Sequence, residues 1–268
     1  MKGMGINMDS KIIFFDIDGT ILSHRNYHIS ESTKTAIKQA QANGHLAFVN
    51  TGRTIAEIEK EITDVGFDGY ICGCGTYISY GDSVLLHHAI PTDTIQMLIK
   101  DFRRNEFQVV LEGTSAVYYD DQSTHPKLLK LRDSQINHNF TVDTWESSDI
   151  SIDKFCIWSP TEEGYNRFYE KYKDGFDFIN RGKLFSEVIP KGHSKATGIE
   201  FLIHALNIAY KDTYALGDGE NDLPMLNYVE HSIAMGNSSD EIRGIVSYVT
   251  EDVDQDGVAI ALKHFDII

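Results

Sequence analysis

Two aspartates separated by one residue, Asp16 and Asp18, follow the apolar run KIIFF and precede Gly19. Alternate side chains of an extended chain point to the same side, so we expect the two carboxylates to lie close together. Like charges at that distance repel each other, and a bound divalent cation relieves the repulsion. Oxygen ligands in a cluster without histidine favour Mg²⁺ over zinc.

More oxygen ligands occur in GDGENDLPML, where Asn221 and Asp222 follow Asp218. A carboxylate beside a metal ion can itself act as a nucleophile and form an aspartyl-phosphate. A second carboxylate can then protonate the leaving oxygen and later take a proton from water. The phosphoryl oxygens need positive or hydrogen-bonding groups, for which Thr51 in VNTGR and Lys195 in HSKATGI are candidates.

The charge of the chain limits its partners. A formal net charge of −16 over 268 residues disfavours nucleic acid and anionic membrane surfaces. A ligand that carries phosphate therefore needs a binding site whose local charge is positive. We expect Mg²⁺ and Lys195 to supply this charge, and Arg53 is a further candidate. The predicted partner is a small phosphorylated metabolite, and the predicted assembly is a monomer or weak homodimer.

The cysteines and the termini indicate a compartment. Three cysteines without disulfide spacing are typical of a reducing cytosol. The C-x-C pair of Cys72 and Cys74 is either a weak metal-site signal or two thiols in a strand or turn. The opening MKGMGINMDS lacks the apolar core of a signal peptide, and no apolar run approaches the length of a membrane span. We therefore expect a cytoplasmic protein.

The elements that must position the candidate residues follow a parallel-sheet pattern in the first and last thirds of the chain. Alternating strands and helices predict an α/β fold with a doubly wound, Rossmann-like core, whose ligands bind beyond the carboxyl ends of the strands. The predicted strands are 11–15, 45–50, 69–72, TYALG, HSIAMG and SYVT. The predicted helices are 30–44, 55–65, 194–207, one from Asn221 and one between the last two strands.

The pattern changes between residues 84 and 186. Helices over 91–105 and 161–173, the strand KFCIWS, a hairpin of FQVVLEG with SAVYYD and a second hairpin around Arg181-Gly182 predict an inserted α+β cap domain. The predicted domains are thus a core over 1–83 and 187–268 and a cap over 84–186 that sits on it as a lid.

Four motifs of the chain resemble those of a known family. In order, DIDGT, the threonine of VNTGR, the lysine of HSKATGI and GDGENDLPML resemble the four motifs of the haloacid dehalogenase superfamily. The closing AMGNSSDEIRGIVSYVTEDVDQDGVAIAL is similar to the tail of its Cof-type phosphatases, which carry a large C2 cap between the second and third motifs. The resemblance covers nearly the whole chain and implies a Mg²⁺-dependent hydrolase of phosphate monoesters.

The resemblance also implies roles in catalysis. Asp16 is implied to be the nucleophile, and Asp18 the general acid and base. Thr51 and Lys195 are implied to bind the phosphoryl group, with Lys195 also steadying Asp16. An aspartate at position 18 excludes the dehalogenase branch. Cys74 stands where relatives have the asparagine of Asn-Gly-Ala, so no contact of that loop is carried over.

Metal and substrate contacts complete the implied site. The metal ligands are implied to be Asp16, Asp18 through its backbone carbonyl, Asp218 and Asp222. The implied substrate-binding residues are Thr51, Gly52, Arg53, Lys195 and Asn221. Asn221 and Asp222 are implied either to complete the metal site or to orient it.

Each candidate also has a plainer interpretation. The D-x-D pair alone is often a turn with solvated carboxylates, and Thr51-Gly52 alone is often a helix cap. Lys191 competes with Lys195 for the lysine role. Arg53 can simply pair with an acidic neighbour. Asp222 can cap a helix or hold Lys195.

The main hypothesis is a phosphatase that acts on small phosphorylated metabolites through an aspartyl-phosphate on Asp16. Sugar phosphates are the first expectation, on the resemblance alone. A phosphotransferase or mutase that uses the same intermediate remains an alternative. A non-enzymatic sensor of phosphorylated metabolites is the other.

Overall fold

The computed structural model describes residues 10–268. Residues 1–9, over which a signal peptide is not expected, lie outside the described residues. Two compact units are present: one comprises residues 10–52, 60–85 and 194–268, and the other comprises residues 53–59 and 86–193. The division into domains at 84 and 186 stays a prediction.

The first segment of the chain alternates short buried strands with helices. Its elements are β1 (Ile12–Phe15), α1 (Glu31–Ala42), β2 (Leu46–Asn50), α2 (Lys60–Thr63), β3 (Gly69–Cys72), β4 (Tyr77–Tyr80) and β5 (Ser83–His87). All four residues of β1 are fully buried, as expected for a parallel strand covered on both faces. Ser30 caps α1 by accepting a hydrogen bond from the amide of Thr33, as the sequence predicts.

The second segment forms a mixed α+β layer. Its elements are α3 (Thr92–Arg104), β6 (Gln108–Glu112), β7 (Val117–Tyr119), α4 (Pro126–Asn137), β8 (Val142–Thr144), β9 (Lys154–Trp158), α5 (Glu162–Tyr172), β10 (Phe176–Gly182) and β11 (Phe185–Pro190). Helices α3 and α5 contribute apolar side chains to one core with strands β6 and β9, which includes Phe102, Phe155 and Phe168. This burial of apolar area stabilises the second unit.

The last segment returns to the parallel pattern. Its elements are α6 (Lys195–Leu206), β12 (Thr213–Gly217), α7 (Leu223–Tyr228), β13 (His231–Ala234), α8 (Asp240–Arg243), β14 (Tyr248–Val249) and α9 (Gly257–His264). Short 3-10 helices occur at Ile55–Glu57, Gly73–Gly75, Tyr210–Asp212, Glu220–Asp222 and Val253–Gln255.

Two sheets organise these strands. The eight-stranded sheet has the order β14-β13-β12-β1-β2-β3-β4-β5 and is parallel from β14 to β3. The six-stranded sheet has the order β10-β11-β9-β6-β7-β8 and is antiparallel except between β7 and β8. The predicted fold class is therefore confirmed. In the parallel part, β1 lies between β12 and β2, so the loops after these three strands meet at one edge.

The helix predicted over 55–65 is wrong as a continuous element. The chain forms a 3-10 turn over Ile55–Glu57 and then the short helix α2. The Glu57 carboxylate accepts hydrogen bonds from both the amide and the hydroxyl of Thr54, which closes the turn locally. The apolar spacing predicted one helix because it does not reveal that residues 53–59 belong to the second unit.

Other elements differ from the sequence prediction in smaller ways. The second hairpin turns at Lys183 and Leu184, with Leu184 at φ 56°, because Gly182 pairs with Phe185. Strands β4, β5 and β8 and helices α4 and α9 were not predicted. The mixed polar sequence of α4, PKLLKLRDSQIN, buries only Leu128, which explains its weak periodic signal.

A buried ion cluster lies in the second unit. Lys154 Nζ is 2.5 Å from Glu112 Oε2 and 2.8 Å from Glu187 Oε1, and Arg181 binds the other oxygen of Glu187. Burial opposes the ionisation of Glu187, but Lys154 and Arg181 together hold its pKa at about 2. Burial raises the pKa of Glu112 to about 7 although Lys154 is adjacent, so the ammonium offsets only part of the cost of ionising this carboxylate.

Within residues 10–268, no helix is both long enough and apolar enough to cross a membrane.

Candidate active site

Asp16 and Asp18 lie in the loop that leaves β1, within the first unit. Asp16 is buried, and its amide continues the sheet by donating to the Leu216 carbonyl of β12. Asp18 is half-buried. Gly19 has φ +81°, and a Cβ there would come 2.2 Å from Asp218 Oδ2, so the turn requires glycine. The glycine allows the β1 loop to approach Asp218 closely.

Lys195 is the first residue of α6, whose N-terminus Ser194 caps by accepting from the Thr197 amide. Its Nζ lies 2.5 Å from Asp16 Oδ1 and 2.5 Å from Asp222 Oδ1, and its side chain is fully buried. Burial opposes the charge of Lys195, but the two carboxylates outweigh it and raise the pKa of the ammonium. Lys191, the competing candidate, instead pairs with Asp177 in the second unit.

Asp222 organises the loop after β12. Its Oδ2 accepts hydrogen bonds from the amides of Asp218 and Gly219 at 2.9 and 3.0 Å, while its Oδ1 binds Lys195. Both oxygens therefore have donors within the protein. Of the two plainer interpretations, the structure shows Asp222 holding Lys195, and its side chain makes no capping hydrogen bond to α7. Direct ligation of a metal by Asp222 stays a prediction.

The carboxylates of Asp16, Asp218 and Asp222 lie close enough to hold a cation. One oxygen from each lies within 4.8 Å of the others. The donors are all hard oxygens, which suit Mg²⁺ better than zinc. Asp222 is bound by the Lys195 ammonium and by two backbone amides, whereas Asp218 is contacted by the neutral side chains of Thr20 and Asn237 at 3.4 and 3.1 Å. We therefore expect Asp16 and Asp218 to be the better ligands of this set. The residues present fit the metal that the sequence predicts.

The raised pKa values of Asp16 and Asp218 also indicate a site for a cation. Burial, followed by repulsion from Asp222, raises the pKa of Asp16 to about 8 despite the adjacent Lys195. Burial, again followed by Asp222, raises the pKa of Asp218 to about 6. The three carboxylates of the cluster carry more negative charge, when ionised, than the ammonium of Lys195 balances. A bound divalent cation would neutralise the excess and lower the raised pKa values.

We predict a corresponding pH dependence for the metal-free protein. A carboxyl with a raised pKa binds more protons in the folded state than in the unfolded state between the two pKa values. The free energy of unfolding should therefore fall as pH rises from about 4 to about 8, by up to about 1.4 kcal/mol per pH unit for one group. Urea unfolding in EDTA at several pH values measures this. Asp16→Asn should flatten the slope, and an equal slope in both proteins would contradict the prediction.

The remaining predicted residues occupy different places. Thr51 is buried at the end of β2, where its amide donates to Ile71 O and its carbonyl accepts from Cys74 N. Gly52 and Asn221 are half-buried in the same unit. Arg53 belongs to the second unit, where its guanidinium lies 3.5 Å from Glu59, and its contact with substrate stays a prediction.

Two residues of the site were not found from the sequence. Asn237 Nδ2 donates to the Gly19 carbonyl at 2.8 Å and to Asp218 Oδ2 at 3.1 Å. Thr20 Oγ1 lies 3.4 Å from Asp218 Oδ1. Asn237 follows strand β13 in AMGN, and its position after a parallel strand was an available signal. Both side chains orient Asp218.

Comparisons of the sequence with known proteins relate the chain to one family. The sequence profile of the family described as haloacid dehalogenase-like hydrolase matches residues 13–262. The protein YkrA of Bacillus subtilis (strain 168) is 34% identical over 266 residues, which are 97% of this chain and 100% of that protein.

Solved structures resemble the whole chain. BT1666 of Bacteroides thetaiotaomicron, one of the phosphatases of the HAD enzyme superfamily, has a TM-score of 0.82 and 27% identity over 100% of this chain and 99% of that one. The sugar phosphatase BT4131, of HAD subclass IIB, has a TM-score of 0.79 and 27% identity over 97% of this chain and 100% of that one.

Proposed function

Because the chain belongs to the haloacid dehalogenase-like hydrolase family, we propose that it is a Mg²⁺-dependent phosphatase that hydrolyses phosphate monoesters of small metabolites through an aspartyl-phosphate on Asp16. The observation that supports this best is the pairing of Asp16 with Lys195 beside Asp218. A buried carboxylate next to a fixed ammonium and a candidate metal ligand is typical of a carboxylate nucleophile for phosphorus.

In the first step an Asp16 oxygen attacks phosphorus, and the bond from phosphorus to the leaving oxygen breaks. Asp18 donates its proton to that oxygen, so the alcohol leaves neutral. In the second step Asp18 takes a proton from a water molecule. The water oxygen bonds to phosphorus, the bond to Asp16 breaks, and inorganic phosphate and free Asp16 result.

The other residues hold the charges in place during both steps. Lys195 keeps Asp16 oriented, and its ammonium donates hydrogen bonds to the phosphoryl oxygens. The hydroxyl of Thr51 donates a further hydrogen bond to them. Mg²⁺, held by Asp16, Asp218 and the Asp18 carbonyl, would supply charge neutralisation for the incoming phosphate. Asn237 and Asp222 keep the β12 loop in position.

We further propose sugar phosphates as the first substrates to examine. The support is the likeness to the sugar phosphatase BT4131 over nearly the whole of both chains. A panel of phosphorylated metabolites, assayed for released phosphate, tests this directly. Turnover of nucleotides or other non-sugar monoesters in preference to sugar phosphates would contradict it.

Removal of the metal is a second test of the proposal. EDTA should abolish hydrolysis of p-nitrophenyl phosphate, and excess Mg²⁺ should restore it. Mg²⁺ at about 100 times its Kd should also raise the free energy of unfolding by about 2.7 kcal/mol, because it binds the folded state only. Asp218→Asn should lose this stabilisation. Full activity in EDTA would exclude a metal-dependent mechanism.

Product analysis separates the two catalytic alternatives. A phosphatase releases one inorganic phosphate for each alcohol formed. If alcohol forms while labelled phosphate accumulates on an added sugar, the chain is a phosphotransferase with the same intermediate. If no phosphorylated compound is turned over but one binds, the chain is a sensor.

A further inference from the structure

Asn50 is a polar residue in a buried position at the carboxyl end of β2, directly before Thr51. Its side-chain Nδ2 donates to the backbone carbonyl of Lys195 at 3.0 Å. The same nitrogen lies 3.6 Å from the sulfur of Met225, in α7. Asn50 Oδ1 is buried and has no hydrogen-bond partner among residues 10–268.

The orientation of the amide follows from its neighbours. A carbonyl oxygen and a thioether sulfur both accept hydrogen bonds, so Nδ2 rather than Oδ1 must face them. The acceptor Oδ1 is then left unsatisfied, at a cost of about 1–3 kcal/mol. Leucine has nearly the same shape and would avoid this cost. Stability therefore does not explain why the residue at this position is an asparagine.

The hydrogen bond joins the two groups proposed to contact the phosphoryl oxygens. Lys195 begins α6, and its ammonium lies 2.5 Å from Asp16. Thr51 is held on β2 by backbone hydrogen bonds to Ile71 and Cys74. The Asn50 side chain thus links the backbone of Lys195 to the end of β2, where Thr51 is the next residue.

We propose that Asn50 is a positioning residue of the reaction, which fixes the backbone of Lys195 relative to Thr51 so that ammonium and hydroxyl meet the same phosphoryl group. This inference rests on the proposed function. A displacement of about 1 Å in such a site lowers the rate by about 100-fold. Asn50 does not touch substrate, and its effect passes through Lys195.

The test is Asn50→Leu, measured for kcat, KM and the free energy of unfolding. We expect kcat to fall by about 10- to 100-fold, with a smaller change in KM and with unfolding free energy unchanged or higher. Asn43→Leu is the matched control, because Asn43 Nδ2 also donates to a backbone carbonyl, that of Ile267, at 2.8 Å. This variant should lose a little stability and keep kcat.

A double-mutant cycle with Lys195→Met identifies the route of the effect. If Asn50 acts through Lys195, Asn50→Leu should lower kcat by less than about twofold when Lys195 is absent. An equal loss in both backgrounds would overturn the inference. So would an Asn50→Leu variant that keeps its kcat, or one that loses kcat together with stability.

These outcomes are separate from failure of the proposed function. If Asp16→Asn hydrolyses substrate at the parental rate, the aspartyl-phosphate mechanism is wrong. If Asp16→Asn is inactive while Asn50→Leu is fully active, only the role of Asn50 is wrong.

Discussion

Replacing Asp16 with asparagine is expected to lower kcat for p-nitrophenyl phosphate by about 10⁴-fold or more. The amide has nearly the size of the carboxylate but is a far weaker nucleophile, and Lys195 cannot activate it. The measurement is steady-state release of phosphate at saturating Mg²⁺. Mass spectrometry of protein quenched with substrate should find a phosphate adduct on the parent and none on the variant.

The same variant should fold normally. Burial raises the pKa of Asp16 to about 8, so the metal-free folded protein already accepts an uncharged group at this position, and the amide is uncharged as well. Lys195 keeps its contact with Asp222. Asp240→Asn makes the same chemical change at a fully exposed carboxylate and should leave kcat unchanged. A variant Asp16→Asn that hydrolyses at the parental rate would falsify the mechanism.

Replacing Lys154 with methionine should lower the free energy of unfolding of the second unit by several kcal/mol. Lys154 is buried between Glu112 and Glu187, and its removal takes the ammonium away from both carboxylates, of which Glu187 also binds Arg181. Breaking a buried ion pair in this way costs about 3–5 kcal/mol. Both tryptophans of the chain, Trp145 and Trp158, lie in the second unit, so their fluorescence during urea unfolding reports on that unit.

The pH dependence of the Lys154→Met effect provides a check. With Lys154 present, the pKa of Glu112 is about 7 and that of Glu187 about 2. Without the ammonium both pKa values rise, so the variant should be less destabilised at pH 5 than at pH 8. Lys191→Met is the matched control, because Lys191 pairs with Asp177 on the exposed surface. It should change stability by less than about 1 kcal/mol. An equally small effect of Lys154→Met would contradict the prediction.

The strands of the core followed closely from the sequence. IIFF and TYALG are short, largely apolar runs, and a fully buried parallel strand needs that composition whatever its neighbours are. The interrupted helix after Thr54 and the weakly amphipathic α4 did not follow. Their forms depend on which unit each segment contacts, and local periodicity does not contain that information.

The site was predictable where a residue type stands at the end of a strand. Asp16, Thr51 and Asp218 each follow one of three neighbouring strands of the parallel sheet, so the topology places them at the same edge. Asn237 and Asn50 were missed because an asparagine has many common structural uses. Their roles depend on hydrogen bonds to residues more than 100 positions away in the chain.

The sequence by itself determined the fold class, the family and the set of acidic and basic groups available for chemistry, because these depend on residue types in a fixed order. The tertiary structure decided which of these acidic and basic groups pair with each other. It places Lys195 between Asp16 and Asp222, and it occupies both oxygens of Asp222 with donors of the protein. Such pairings depend on distances of a few ångströms between separate loops, and spacing along a chain does not specify them.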